Sequence, residues 1–132
     1  MTNILLIDDS KSVHNLVKEW LPFSVCALSS AFHGKEGFET LCAKPNHFDL
    51  VLLDWEMPIQ DGPTTIKSIR KMFISLPVIM MTSRNSVADI TSMLREGANE
   101  YIMKPFTKDI LFSKIGSVLP ELFSSGSVSD VG

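Results

Sequence analysis

Three short apolar runs carry no alternation: Ile4-Leu5-Leu6-Ile7, Leu50-Val51-Leu52-Leu53 and Val78-Ile79-Met80-Met81. A strand with one wet face alternates polar and apolar residues. A strand that is apolar at every position is covered on both faces, which is the habit of parallel sheets flanked by helices. Val25-Cys26-Ala27-Leu28 and Tyr101-Ile102-Met103 are weaker runs of the same kind. Between the runs lie helical periods. Val13, Leu16, Val17, Trp20 and Leu21 form one apolar stripe, with Ser10 as its N-cap and Pro22 as its stop. Phe38, Leu41 and Cys42 predict a second helix between Gly34 and Pro45, and Ile66, Ile69 and Phe73 a third, entered through Gly62-Pro63. Val87, Ile90 and Leu94 predict a fourth, closed by Gly97, and Leu111, Ile115, Val118 and Leu119 a fifth, between Thr107 and Pro120. Five strands alternating with five helices imply right-handed crossovers and a doubly wound parallel α/β sheet.

The chain has 132 residues, enough for one domain with a real core, and 12 Lys+Arg against 15 Asp+Glu give a net charge of −3. That mildly acidic balance argues against nucleic-acid binding by this domain, which needs a basic face. No apolar run approaches the ~20 residues that cross a bilayer, and the N-terminus lacks the pattern of a secretory signal. The expectation is a soluble, cytoplasmic protein without membrane contact. Cys26 and Cys42 have no CxxC spacing and sit among apolar neighbours, so both read as small buried thiols. His14, His33 and His47 show no metal-ligand spacing with them. Residues 1–121 read as the folded domain. The Ser-rich segment 122–132 reads either as a flexible tail or as the start of a linker.

Position is the informative property of the acids. Asp8 and Asp9 follow the first apolar run, Asp54 the third, Thr82-Ser83 the fourth and Lys104 the fifth. In an open parallel sheet these ends share one edge, where ligands bind at the reversal of strand order. Two carboxylates ~5 Å apart repel by roughly 3 kcal/mol at an effective dielectric of 20. Three together therefore call for a cation, and a hard divalent ion such as Mg²⁺ suits oxygen ligands that leave room for a phosphate. Lys104 adds a point charge for a phosphate oxygen, and the Thr82 hydroxyl a hydrogen bond. Asp61-Gly62 reads as turn chemistry.

With these residues in view, the sequence resembles the receiver domains of bacterial two-component response regulators. The matching pieces are Asp8-Asp9, Asp54-Trp55-Glu56-Met57-Pro58 with Asp61-Gly62, Pro77-Val78-Ile79 leading to Thr82, Gly97-Ala98, and Lys104-Pro105-Phe106. They cover about residues 3 to 120, and Asp54-Trp55-x-Met57-Pro58, Tyr101 and Lys104-Pro105-Phe106-Thr107 are most similar to the chemotaxis type. The resemblance implies a flavodoxin-like (βα)5 fold with strand order 2-1-3-4-5. It implies that Asp54 accepts a phosphoryl group from the phosphohistidine of a sensor histidine kinase or phosphotransfer protein. Mg²⁺ would be held by Asp8, Asp9, Asp54 and the backbone carbonyl of Glu56, with Lys104 and Thr82 on the phosphoryl oxygens. Thr82 and Tyr101 would form a switch that reshapes the surface of the fourth helix, fifth strand and fifth helix, read by a target protein or output domain. The chain would then be a signalling phosphoacceptor and not an enzyme with turnover, as a monomer or a weak phosphorylation-dependent dimer.

Two positions invite comment within that resemblance. Ser83 stands where the family most often has Ala. Glu56 and Arg84, each two residues beyond a site residue, are expected to pair across the pocket mouth and hinder water from reaching the aspartyl phosphate. Two other readings compete. One is a receiver that docks without phosphorylation. The other is a phosphatase of the haloacid dehalogenase type, whose Asp nucleophile follows the first strand as DxD, where this chain has Asp8-Asp9-Ser10.

Overall fold

Every apolar run becomes a strand. The computed structural model describes residues 1–122. The elements run β1 (Thr2–Ile7), α1 (Lys11–Trp20), β2 (Cys26–Ala31), α2 (Gly34–Ala43), β3 (Leu50–Asp54), α3 (Gly62–Met72), β4 (Val78–Thr82), α4 (Val87–Glu96), β5 (Glu100–Met103) and α5 (Lys108–Val118). The sheet is parallel throughout with order β2-β1-β3-β4-β5, the expected doubly wound arrangement. Residues 123–132 of the Ser-rich segment lie outside the described residues.

Because side chains alternate along a strand, each apolar run feeds both faces of the sheet. Leu5, Ile7, Val51, Leu53, Val78 and Met80 pack with Leu41, Ile66, Ile69 and Met93 under α2, α3 and α4. Ile4, Leu6, Leu50, Leu52, Ile79 and Met81 pack with Val17, Leu111 and Ile115 under α1 and α5. Since α1 lies on one face and α3 on the other, the chain leaves β1 and β3 in opposite directions. The crevice between their C-terminal ends is the reversal point where such sheets bind ligands.

The helix ends follow local chemistry. Ser10 and Thr107 cap α1 and α5 by accepting the N–H of Val13 and Ile110. Asp61 is more than turn chemistry: its carboxylate caps α3 through the Thr64 N–H at 3.0 Å. The next residue, Gly62, packs so closely on the strand end that a Cβ would lie 2.6 Å from the Trp55 Cα and 2.9 Å from the Asp54 carbonyl oxygen. Gly97 ends α4 with φ 121°, a left-handed conformation that glycine adopts without strain.

Arg70, near the end of α3, fastens the opposite edge of the sheet. Its Nε and Nη2 donate to the Gly97 carbonyl at 2.9 and 2.7 Å. Nη2 also reaches the Asn99 side chain at 2.8 Å, and Nη1 donates to the carbonyls of Phe73 and Leu76 at 3.0 and 2.6 Å. One guanidinium thus ties the α3–β4 and α4–β5 turns together.

One expected helix is confirmed with an unexpected orientation, and two expectations need correction. The Val87, Ile90 and Leu94 stripe does mark α4, but it faces outward. Val87 is 82% and Leu94 44% exposed, while Met93 is the buried side chain of the helix. One long, flexible side chain supplies the buried contact of the helix. Cys42 is exposed rather than buried, because α2 turns Leu41 inward and leaves its neighbour on the solvent side. The weak run at Val25–Leu28 begins a strand that continues through Ser29 and Ser30 to Ala31. As an edge strand, β2 tolerates polar residues that a central strand would not.

Candidate functional site

Register alone assembles the acids. Ile7 pairs with Leu53 across β1 and β3, so Asp8 and Asp54 are the next residues on adjacent strands. Asp8 is fully buried, Asp54 is 4% exposed, and Asp9 turns toward solvent. One carboxylate oxygen from each of Asp8, Asp9 and Asp54 lies within 4.8 Å of the others. Lys104, just past β5, closes the cluster with its Nζ 2.8 Å from Asp8 Oδ2 and 3.2 Å from Asp54 Oδ1. The Lys104-Pro105 peptide bond beside it is cis.

The electrostatics follow from burial and crowding. Desolvation, with the Asp8 charge adding to it, pushes the Asp54 carboxyl up to about 7, against the opposing pull of Lys104. Burial alone would lower the Lys104 pKa, but the hydrogen bonds and charges of Asp8 and Asp54 outweigh it and hold the ammonium above its ordinary value. One ammonium faces two buried carboxylates and a third nearby. The shortfall of positive charge, the all-oxygen donor set and the open side at Asp9 fit a hard divalent cation.

Thr82 ends β4 and is buried, and its Oγ accepts the Arg84 N–H at 2.9 Å. An acceptor position is used there, and the hydroxyl keeps its own proton for a partner in the crevice. Glu56 follows differently from the acid trio. Its N–H points at Asp54 Oδ1 at 3.5 Å, but its carboxylate turns to Arg84, whose Nε lies 3.4 Å away. This is the pairing expected from their matching offsets, and Arg84 also approaches Asp89 at 3.9 Å. A cavity of about 430 Å³ lined by Trp55, Glu56, Met57, Asp61, Pro63 and Arg84 opens at that mouth. Tyr101 is half-buried on β5, its ring packed against the core under α2, α3 and α4.

Sequence reasoning missed His14. It is buried on α1, its Nε2 donates to the Asp8 carbonyl at 2.7 Å, and its Nδ1 meets the Ser30 hydroxyl at 2.8 Å. The imidazole thereby fixes the backbone of an acid in the trio. Only its place beside Val13 and Val17 hinted at burial, and nothing in the sequence showed its partner.

Residues 4–116 match the family model of the response regulator receiver domain. The chain belongs to the response regulator receiver domain family. Among curated relatives, the chemotaxis protein CheY1 of Helicobacter pylori is 33% identical over 119 residues, covering 88% of this chain and 95% of that protein. The transcriptional regulatory protein CpxR of Escherichia coli is 35% identical over 90% of the chain, which spans only 50% of CpxR. A two-component response regulator from Clostridium difficile superposes on the receiver domain with a TM-score of 0.83 at 28% identity, covering 93% of this chain and 99% of that one. The family assignment sets aside the haloacid dehalogenase reading. Among the described residues, no helix is long and apolar enough to cross a membrane.

Proposed function

We propose that this receiver domain accepts a phosphoryl group on Asp54, from the phosphohistidine of a sensor histidine kinase or phosphotransfer protein, and signals through its α4-β5-α5 surface. The observation that carries this reading is one ammonium bridging Asp8 and Asp54 with Asp9 alongside: a carboxylate nucleophile set in a site short of positive charge. An Asp54 oxygen attacks phosphorus, the phosphorus–nitrogen bond of the donor breaks, and an aspartyl phosphate forms. Lys104 keeps its charge against the phosphoryl oxygens, and the Thr82 O–H donates to one of them. Asp8, Asp9, Asp54 and the Glu56 carbonyl are the proposed holders of Mg²⁺, which when bound supplies charge neutralisation for the transferring group. The domain acts as a phosphoacceptor that turns over only its own phosphate.

Signalling needs a second state. The phosphoryl group adds roughly −1.5 to −2 charge and new acceptor oxygens, drawing Thr82 toward it and letting Tyr101 rotate. Solvent-exposed apolar side chains on the helices of the output face (Val87 and Leu94 on α4, Ile110 on α5) suit a target protein or output domain that covers them.

The test is incubation with acetyl phosphate and Mg²⁺ followed by intact-mass measurement. Native protein gains one phosphoryl mass and Asp54→Asn gains none. Equal gain in both, or none in either, overturns the reading, and the latter outcome favours a receiver that docks without phosphorylation.

Glu56 and Arg84 set the lifetime of that phosphate. Both are about half exposed, so their pair contributes little to stability. Across the mouth, however, it obstructs the line of approach for water. Glu56→Ala and Arg84→Ala should each speed dephosphorylation by up to about fivefold. The double variant should be no faster than either single one, since a pair is lost once. Rates unchanged from native would remove the gate from the mechanism.

A further inference from the structure

Away from the acid cluster, three neighbouring groups on β5 and α5 form a closed arrangement. The Glu100 carboxylate accepts the Tyr101 backbone N–H at 2.9 Å through Oε1. The same oxygen accepts from the Lys114 ammonium of α5 at 3.1 Å. Lys114 Nζ in turn lies 4.6 Å from the centroid of the Tyr101 ring. The two charged side chains are only 28% and 25% exposed, so water and salt screen them less than an ordinary surface pair. The carboxylate is itself anchored by a strand N–H, and it therefore holds the ammonium over the ring instead of following it into solvent.

We propose that Glu100 and Lys114 are positioning residues that clasp Tyr101 in its resting orientation and so set how readily the domain switches. The proposal rests on the reading of Tyr101 as the moving part of the phosphorylated state. In the present arrangement Lys104 is bonded to both Asp8 and Asp54 and to no phosphoryl oxygen, and we take this as the resting condition. The clasp is formed in that condition. A ring that rotates must leave the ammonium and lose the attraction between cation and aromatic face. An attraction of this kind biases the equilibrium toward rest by about two- to fivefold. Any group that weakens the clasp lowers the cost of the active state by the same factor, and a ligand selective for that state binds correspondingly tighter.

The chain contains one tyrosine, so 3-fluorotyrosine labelling gives a single fluorine resonance from Tyr101. The full chain is titrated with beryllium fluoride, a phosphoryl mimic, in excess Mg²⁺ while that resonance is followed. Native protein should move from a resting to a saturated position. Lys114→Met and Glu100→Gln should reach saturation at about two- to fivefold lower beryllium fluoride, while Lys114→Arg, which keeps a cation over the ring, should keep the native midpoint. Coincident midpoints for native, Lys114→Met and Glu100→Gln overturn the clasp. Parallel acetyl phosphate labelling separates the two levels of inference. A native protein that gains phosphoryl mass while its resonance stays fixed overturns the clasp but leaves Asp54 as the acceptor. One that does neither overturns both.

Discussion

In metal-free buffer at pH 8, Asp54→Asn should be more stable than the native protein, reversing the usual outcome of changing a buried residue. The Asp54 carboxyl sits at about 7 in the folded state against an ordinary 3.8. A folded pKa raised above the unfolded value means that the folded chain binds the extra proton between those two values, so the contribution of this one group to stability is fully present below 3.8 and is lost as pH climbs through 7. The interval of about three units corresponds to a ceiling of ~4 kcal/mol. The amide avoids this cost but forfeits one contact with Lys104, leaving a net gain of about 1–3 kcal/mol, or several degrees in melting temperature. The advantage should shrink as pH falls from 7 toward 4, and excess Mg²⁺ should reduce it by stabilising the native acid trio. Urea titrations at pH 8 and pH 5 measure it. A variant less stable than native at both pH values would show that Asp54 is not strained by its surroundings.

Lys104→Met should have the opposite sign and a comparable size. The ammonium is the counter-charge to a fully buried Asp8 as well as to Asp54. Because its folded pKa is raised, its contribution is fully present at pH 8 and fades only as pH rises through that raised value. Removing one partner leaves buried carboxylates facing each other, an expected loss of about 2–4 kcal/mol at pH 8 without metal. The loss should diminish below pH 7, where Asp54 takes up a proton, and excess Mg²⁺ should recover much of it. An equal loss at pH 5 and pH 8, indifferent to Mg²⁺, would mean that Lys104 acts through its methylene packing rather than its charge.

The contrast between these two variants also shows why the site was legible in the sequence. Strand ends are marked by where an apolar run stops, and parallel pairing forces residues after adjacent runs to be neighbours. Asp8, Asp54, Thr82 and Lys104 could therefore be brought to one edge without knowing a single angle. Glu56 and Arg84 were paired by their equal offsets. Caps were legible where the chemistry is local, as at Ser10, Thr107 and Gly97.

What escaped depended on which side of an element is covered. A helical period marks a helix but not which way its stripe faces: Val87 and Leu94 turn outward, and Met93, outside the stripe, is the buried side chain. The same limit applies to Cys42 on α2. Gly62 and His14 were opaque for another reason: their importance lies in a close approach to Trp55 and to the Asp8 carbonyl, contacts made by the folded backbone. Glu100 and Lys114 come together only because α5 folds back alongside β5.

Arg70 would give the proposed switching motion a pivot. The guanidinium ties the turn after α3 to the turn that ends α4, so α4 is tethered at its Gly97 end. Its other end begins at Ser86, four residues past Thr82, where the tie is looser: the half-exposed Arg84 approaches Asp89 at 3.9 Å. A helix pinned more firmly at one end and pulled near the other swings like a pendulum: under the proposed switch, a small pull at Thr82 would become its widest sweep around Val87 and fade toward Gly97. The outward apolar side chains nearest the looser end would travel farthest, and a reader seated there would feel a tilt rather than a translation.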